Sequence, residues 1–555
     1  GVSFTKPTQF KNPSTFVWDC QDVTWTAWGD DYDETYSMPT TAGYYYLTKD
    51  MSFTSEFNIG ENTEIFLCLN GHNITNTDSG KRVYNIYGKL NICDCSEEEN
   101  WGTITGSRCD QEGTAVAGTL QLRDNKEGKT ATLNLYSGII TSGAEYALKQ
   151  GGVIQLGNAN TYGAVFNMYG GKVVGGNVTT NGGAVYVMSK STFNMYGGTV
   201  TGGTAGERGG CIYTEGEVNI SGGKVADGTA KNGGNIYMNT GAVVNITGGV
   251  VENGTANTDN GYGGNIRVNA GELTISNALI SGGKAKYGGG LAVQGSANIS
   301  NSTVQTATGS RGRAIYIDKA GAVTLKDSDI KNLNVNGTTI WTLGQLKLEG
   351  TVNMPASSDE SAALDIMVDA QKGTACIDIT GLTDQDAPFD IRRWEIGEDD
   401  DDPGLIAVGA TSEQLATVFV AREGGYYLTY SDNKIYLACY AVHAMDKTGE
   451  VVQGYDSLNA AIAEAGENVT WFRITTDIAD QTIDRNVLID LNGNDLLNLT
   501  ITDGVVLTGI DSFSHNKFCG FRFMKVMKAY PEAFKANVKL PPAGHFGDPE
   551  TEIGR

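Results

Sequence analysis

Apolar and polar residues alternate in short runs between residues 151 and 317, and each run follows a glycine. The runs read GGVIQL, GGAVYV, GGCIYT, GGNIYM, GGNIRV, GGGLAV and GRAIYI, and they begin at Gly151, Gly182, Gly209, Gly233, Gly263, Gly288 and Gly312. The leading glycine permits a turn with positive φ, and an alternation with a period of two predicts a β-strand after it. The runs recur about every 27 residues, which is a repeat length typical of solenoids.

A second strand is predicted after each of these runs. Its phrase is FNMYGG from Phe166 and from Phe193, VNISGG from Val218 and VNITGG from Val244. Weaker copies occur elsewhere, including LNLY from Leu133. The apolar residues beside each asparagine are expected to face inward, while the asparagines align and can hydrogen-bond along the stack. They are Asn167, Asn194, Asn219 and Asn245.

Two or three short strands per repeat, with no helical pattern between them, predict an all-β fold, a parallel β-helix. The strand after each glycine run should place one apolar residue per coil in a single inward column, namely Ile154, Ile212, Ile236, Ile266, Leu291 and Ile315. A leucine-rich repeat would need Leu-rich spacing and a helical segment, and a β-sandwich would not repeat one phrase at near-constant spacing.

The pattern divides the chain into five segments. Residues 1–40 are expected to be an N-terminal cap segment, and 41–355 the parallel β-helix. Residues 356–445 lose the glycine phrase and are expected to form an acidic, β-rich cap or degenerate coils. Residues 446–510 are interpreted as the start of a second β-helix module, and 511–555 are left unassigned.

The second module rests on two features. The segment Tyr455–Gly466 predicts a helix, because Leu458, Ala461, Ile462 and Ala465 share one face and a glycine follows. The later Leu491-Asn492-Gly493 then aligns with Leu69-Asn70-Gly71, where Asn-Gly predicts a turn.

Composition and charge limit the partners that the chain is expected to have. The chain has 40 basic and 64 acidic residues, giving a net charge of −24, which argues against nucleic acid or an anionic membrane as partner. No apolar run reaches the length of a transmembrane helix, so no membrane insertion is expected. The chain begins at Gly1 without a signal peptide, which is expected to have been removed.

The nine cysteines are odd in number and have no paired zinc spacing. Five of them cluster early in the chain: Cys20, Cys68, Cys93, Cys95 and Cys109. A disulfide within this group and buried free thiols are both compatible with the sequence. Cys211 takes the place that Ala184 has in the preceding coil, which indicates a small packing residue.

Several phrases together resemble a known group of proteins: AGYYYLTKDM, LCLNGHNIT, LNICDC, FNMYGGTVTGG and NGGAVYV. They are similar to large, secreted, Gly-rich right-handed β-helix proteins with a pectin-lyase-like fold from the surfaces of anaerobic Gram-positive bacteria. The resemblance covers roughly residues 15–350 and 446–505. It implies a right-handed solenoid, an extracellular location at the cell surface and an adhesin-like or glycan-facing role, and it carries no defined catalytic residues.

The candidate binding surface is an aromatic stripe on the first strand of each repeat. Tyr186, Tyr213, Tyr237 and Tyr316 share one outward position, which Arg267 and Ala292 occupy in two other coils. Exposed rings at this spacing could stack against sugar rings. The alternative is that neighbouring tyrosines stack on one another and stabilise the sheet. A shorter pair, Tyr169 and Tyr196, is predicted on the second face.

Carboxylates are the remaining candidates for chemistry. The acidic run Glu398–Asp402, with Asp384 and Asp386, is a candidate calcium site, and a solvated acidic loop is the alternative. Glycosidases need two carboxylates facing one groove. Six carboxylates lie in or near the array, where corner loops are expected: Glu207, Glu215, Glu217, Asp227, Glu252 and Asp259. No two occupy equal positions in adjacent coils, so no catalytic residue and no cofactor is assigned.

Three functions remain open. The leading one is an extracellular adhesin that binds glycans or a host or matrix surface through the β-helix face. The second is a carbohydrate-active enzyme, a polysaccharide lyase or glycoside hydrolase. Such enzymes occur on this fold, but this sequence shows no recognisable carboxylate pair. The third is a structural rod or filament component that self-associates, because tandem solenoids are stiff.

Overall fold

The computed structural model describes most of the chain between residues 24 and 510. The described residues are 11–12, 16–17, 24–30, 36–78, 81–106, 118–123, 129–143, 147–157, 162–257, 259–306, 308–333, 337–354, 363–369, 375–383, 387–394, 404–421, 425–492, 494, 496–497, 499–502, 504–510 and 538–539. The chain forms two compact units, Gly1–Asp386 and Ala387–Arg555. The sequence-based borders at 355 and 445 stay predictions.

The first unit is a parallel β-solenoid of about 12 turns, which confirms the expected all-β, parallel β-helix fold. Its turns place strands on three faces. The first face contains the strands that follow the glycine runs, together with earlier and later strands of the same sheet: Phe57–Ile59, Tyr84–Ile86, Leu120–Leu122, Ile154–Leu156, Val185–Val187, Ile212–Thr214, Ile236–Met238, Ile266–Val268, Leu291–Val293, Ile315–Ile317, Gly337–Thr342 and Ala363–Asp369.

The second face carries the asparagine phrases. Its strands are Thr26–Trp28, Gly43–Leu47, Glu64–Cys68, Lys89–Cys93, Ala131–Leu135, Ala164–Met168, Thr192–Met195, Glu217–Ile220, Val243–Ile246, Glu272–Ser276, Ser296–Ser300, the first part of Ala322–Asn332, the first part of Gln345–Asn353, and Cys376–Leu382.

The third face follows after a tight corner. Its strands are Met51–Phe53, Ile74–Asn76, Thr103–Gly106, Ile139–Ser142, Lys172–Val174, Thr199–Thr201, Lys224–Ala226, Val250–Glu252, Leu279–Ser281, Thr303–Thr306 and the later parts of the two long strands. Smaller elements complete the unit: the strands Lys11–Asn12, Phe16–Val17, Asn177–Val178 and Thr204–Ala205, and the 3₁₀ turn Glu98–Asn100.

Where a glycine run is present, it forces the corner that precedes the first-face strand. Gly209, the first glycine of its pair, has φ of +65°, a region that side chains disfavour. A Cβ atom on Gly210 would lie only 2.3 Å from the carbonyl oxygen of Gly234 in the next coil. The first position therefore needs glycine for its conformation, and the second needs it because successive coils approach so closely.

The interior follows the predicted columns. Val185, Ile212 and Ile236 pair in register on the first face and are fully buried. On the second face, the rings of Phe166 and Phe193 stack with centroids 4.7 Å apart. Cys211 is fully buried too, in agreement with a packing role. The period-two pattern thus holds over many coils, because a shift by one residue would expose every inward side chain.

The second unit begins with β-strands and continues with one short α-helix and further strands. Its elements are Phe389–Trp394, Leu405–Val408, the 3₁₀ turn Glu413–Ala416, Phe419–Ala421, Tyr426–Ser431, Lys434–Cys439, Val442–Met445, Val451–Tyr455, the α-helix Leu458–Glu464, Trp471–Ile474, Ile478–Ala479, Thr482–Ile483, Val487–Asp490, Leu496–Leu497, Thr500–Ile501, Leu507–Ile510 and Val538–Lys539.

The predicted helix is confirmed in shorter form. Ser457 caps it by accepting a hydrogen bond from the backbone N–H of Ala460. Leu458, Ala461 and Ile462 are buried as expected, while Ala465 follows the last helical residue. The helix starts later than predicted because Tyr455 ends the strand Val451–Tyr455, which pairs with Val442–Met445, and Ser457 is the N-cap.

Parallel pairing resumes after the helix, while the second β-helix module itself stays a prediction. The strand Val487–Asp490 pairs in parallel with Trp471–Ile474 and with Leu507–Ile510. Asn492 has φ of +47°, close to the +53° of Asn70 in the first unit, so the two aligned turns share a left-handed residue. No helix in the described part of the chain is long and apolar enough to cross a membrane.

Candidate functional site

The outward residues of the first face form a column of tyrosines, here called the tyrosine column: Tyr186, Tyr213, Tyr237 and Tyr316. Tyr186, Tyr213 and Tyr237 pair in register with one another, and Arg267 follows Tyr237. The expected alignment of these residues is therefore confirmed. The column is longer than the tyrosines, because Gln155 precedes it and Trp341 follows Tyr316.

The rings of this column contact one another. The centroids of Tyr186 and Tyr213 are 4.8 Å apart with a tilt of 36°. Those of Tyr213 and Tyr237 are 5.7 Å apart and nearly parallel, at 10°. These contacts agree with the alternative that the tyrosines stabilise the sheet by stacking.

The expectation that these rings are exposed is wrong. Tyr186, Tyr213, Tyr237 and Tyr316 expose only 7, 2, 5 and 5 % of their surface. They point away from the solenoid interior, but corner residues of neighbouring coils lie over them. The guanidinium of Arg208, for example, sits 5.4 Å from the centroid of the Tyr237 ring. The column forms a small second core outside the β-helix.

Glu215 joins the tyrosine hydroxyls. Its Oε1 accepts hydrogen bonds from the hydroxyl of Tyr213 at 3.0 Å and of Tyr186 at 3.4 Å, and from Asn239 Nδ2 at 3.4 Å. Burial, followed by the negative charge of Glu215, raises the pKa of both tyrosines above the ordinary value. These phenols are held neutral, so they act as hydrogen-bond donors and not as nucleophiles.

Arg267 belongs to the same covered layer. It is 6 % exposed, and its guanidinium lies 4.6 Å from the centroid of the Tyr262 ring. Its Nη2 donates to Gln294 Oε1 at 2.7 Å and lies 3.6 Å from Asp318 Oδ2. Burial lowers the pKa of Arg267. The side chain therefore ties neighbouring coils together instead of facing a ligand.

Tyr262 and Tyr287 cover the tyrosine column at Tyr316, and neither was among the residues predicted from the sequence. Their rings stack with centroids 4.5 Å apart, and both pack against Tyr316 at 5.9 and 5.1 Å. A signal was present, because each tyrosine directly precedes a glycine run, at Gly263 and Gly288. That position is a corner residue, from which a long side chain can fold back over the first face.

The second face carries a different aromatic array, here called the tyrosine stack: Tyr136, Tyr169 and Tyr196. The predicted pair Tyr169 and Tyr196 is confirmed, with centroids 5.0 Å apart and planes 8° from parallel. Tyr136 extends it, at 4.9 Å from Tyr169. The sequence offered this residue too, since the LNLY phrase ends on it.

An amide ladder runs beside the tyrosine stack, as predicted. Each asparagine donates from Nδ2 to Oδ1 of the one before it, over distances of 2.7 to 2.9 Å. The ladder is Asn91, Asn134, Asn167, Asn194, Asn219 and Asn245. It holds the strands in register and lines the side of the tyrosine stack with amide groups.

Tyr196 ends the tyrosine stack. The next coil places Ser221 at this position, as its backbone N–H bonds to the carbonyl oxygen of Met195. Among the described residues, Tyr169 is the one ring in contact with Tyr196. Tyr196 is 42 % exposed, the highest value for a tyrosine in either array. The small Ser221 thus leaves the ring face that looks toward the next coil without an aromatic neighbour.

Among the described residues, no two of the six carboxylates near the array share a hydrogen-bond or ion-pair partner. The expectation that all sit in corner loops is wrong for Glu217 and Glu252, which lie on strands of the second and third faces. Lysines accompany two of the six: Lys224 pairs with Glu252, and Lys231 Nζ lies 4.0 Å from Glu207 Oε2.

A metal site is not formed by the described residues either, where no group of three His, Cys, Asp or Glu side chains converges. The candidate calcium site at Glu398–Asp402, with Asp384 and Asp386, lies outside the described residues. Comparison with known proteins gives no relative: no protein-family model, no curated protein and no solved structure matches the chain.

Proposed function

We propose that this chain is an extracellular, adhesin-like bacterial surface protein whose β-solenoid binds glycans on its second face. The observation that carries the proposal is the exposed ring face of Tyr196 at the end of the tyrosine stack. Sugar rings have an apolar face of C–H groups and an edge of hydroxyls, so they fit a ring bordered by polar groups.

The surroundings of Tyr196 support a sugar in this position. The ladder amides of Asn194 and Asn219 border it on one side, and the hydroxyl of Ser221 lies in the next coil. A pyranose placed on the uncovered face of the Tyr196 ring would take the position that a further tyrosine of the stack would have, as Tyr196 itself has beside Tyr169. Coil spacing and ring thickness thus define a slot for one flat residue of a glycan.

The proposal assigns binding and no catalysis. The phenols of the tyrosine column are neutral and buried, and two of the nearby carboxylates, Glu252 and Glu215, are bonded to Lys224 and Tyr213. The negative net charge of −24 favours neutral or cationic glycans over strongly acidic ones.

The test is a glycan and polysaccharide array probed with the purified chain, with and without calcium, scored for both retention and cleavage. On the retained glycan, the double variant Tyr169→Ala and Tyr196→Ala should weaken binding at least about tenfold, which corresponds to about 1.4 kcal/mol. Both rings are changed because Tyr169 would otherwise become the new open end of the stack.

A second variant covers the ring without removing it. Ser221→Leu should lay an aliphatic side chain over Tyr196 and weaken binding to a similar extent. Ser300→Leu, in the same column but on a distant coil, is the matched control and should bind as the unchanged protein does. Full binding by Ser221→Leu, or release of product from any glycan, would contradict the proposal.

A further inference from the structure

Three cysteines meet at the N-terminal part of the second face. Cys68 and Cys93 end successive strands and pair in register, and both are fully buried. Cys95 lies two residues after Cys93 at the following corner and is partly exposed. The thiol of Cys68 donates to the sulfur of Cys95 across 3.2 Å, although the two residues are 27 positions apart in the chain.

Asp94 fixes the corner that carries Cys95. Its fully buried carboxylate accepts hydrogen bonds from the backbone N–H groups of Gly71, Ser96 and Gly102, at 2.6 to 3.2 Å. Its own backbone N–H donates to the hydroxyl of Ser137 in the next coil at 2.6 Å. Coils before and after this corner therefore hold Cys95 against Cys68, so the contact is built into the fold.

Thiolates are disfavoured in this cluster. The hydrogen bond with Cys93 raises the pKa of Cys68, and the hydrogen bond with Cys68 raises that of Cys95; burial adds to both. A disulfide carries no ionisable group, so a bond between two of the sulfurs suits a site that disfavours thiolate charge.

We propose that Cys68 and Cys95 form a disulfide when the folded chain meets a thiol oxidant, while the sulfur of Cys93 is not oxidised. The oxidant is a small disulfide such as oxidised glutathione. Cys95, the accessible partner, first exchanges with it, giving a mixed disulfide and one released thiol. The sulfur of Cys68 then attacks that of Cys95 and releases the second thiol, so two electrons and two protons pass to the oxidant.

The bond would staple two successive coils near the N-terminal end of the solenoid. End coils have a neighbour on one side only, so they open more readily than central ones. Cys68 lies directly before the turn Leu69-Asn70-Gly71, and Cys95 follows the next strand, so the bond would close the whole intervening coil. This inference does not depend on the proposed glycan binding, because it concerns a different part of the second face.

The test is peptide mapping of the full chain after incubation with oxidised glutathione and blocking of remaining thiols. Cleavage on the N-terminal side of Asp94 separates Cys93 from Cys95, so the linked partner of Cys68 is read directly. We expect a peptide joining Cys68 to Cys95 and a blocked Cys93. A disulfide from Cys68 to Cys93 or to any other cysteine would overturn the proposal. So would the recovery of every cysteine in the blocked form, which means that no disulfide had formed.

Hydrogen exchange of residues 64–106 measures the consequence. Oxidation should slow exchange there at least about tenfold, because closing the loop restricts the open state. Cys95→Ser should abolish this effect, whereas Cys211→Ser, a buried thiol in a central coil, should leave it intact. An equal change on oxidation of Cys95→Ser would show that another group is responsible.

Discussion

Two arrays of tyrosines repeat along this solenoid at the same coil spacing, yet they meet different environments. In the tyrosine column of the first face, Tyr213 is 2 % exposed and bonded to Glu215. In the tyrosine stack of the second face, Tyr196 is 42 % exposed and ends the array. A repeated outward aromatic is therefore not in itself a binding surface, because neighbouring corners decide whether it is covered.

The largest effect should come from removing a ring of each array and comparing the losses. Tyr213→Ala leaves a cavity and removes the shortest hydrogen bond to Glu215, and should cost about 3 kcal/mol in the free energy of unfolding. Tyr196→Ala removes a half-exposed ring and should cost less than about 1 kcal/mol. Chemical denaturation combined with hydrogen exchange of the affected coils measures both. Similar losses would mean that the two arrays do not differ in their structural role.

An intermediate effect is expected from the amide ladder, which borders one array only. Asn194→Leu leaves Oδ1 of Asn167 and one donor of Asn219 without their ladder partners, and should cost about 1–2 kcal/mol. The matched control is Asn298→Leu, an exposed asparagine on the same face outside the ladder. If both variants unfold at the same denaturant concentration, the ladder contributes nothing to the second face.

The smallest effect should appear in alkaline solution. The pKa of Tyr213 is raised in the folded chain, whereas in the unfolded chain it is near the ordinary value of about 10. The folded state therefore retains a proton that the unfolded state releases, and stability is full below about pH 10 and falls as the pH rises above it.

Tyr213→Phe cannot ionise, so its stability should decline less steeply than that of the unchanged chain between about pH 9 and 11. The measurement is the free energy of unfolding across this range, with tyrosinate absorbance as a second readout. An identical pH dependence in the variant would mean that burial of Tyr213 does not control its titration.

The repeat could be predicted from the sequence, whereas the exposure of the tyrosine side chains could not. Alternation after Gly209 and Gly233 predicted which side chains enter the core, since the period of two allows one register. The alignment of Asn194 with Asn219 gave the ladder for the same reason. The start of the helix was misplaced because Tyr455 pairs with Val442 in a strand, and the local sequence pattern does not contain that contact.

By itself, the sequence determined the parallel solenoid, its inward columns and the stacking order of its tyrosines and asparagines. These features depend on spacing along the chain, and a near-constant period converts spacing into position. Only the tertiary structure decided which tyrosines are covered and which thiols meet. Arg208 reaches Tyr237 from a corner of another coil, and Cys95 reaches Cys68 across a whole turn. Such contacts depend on the direction of side chains at the corners, where the repeat is least regular.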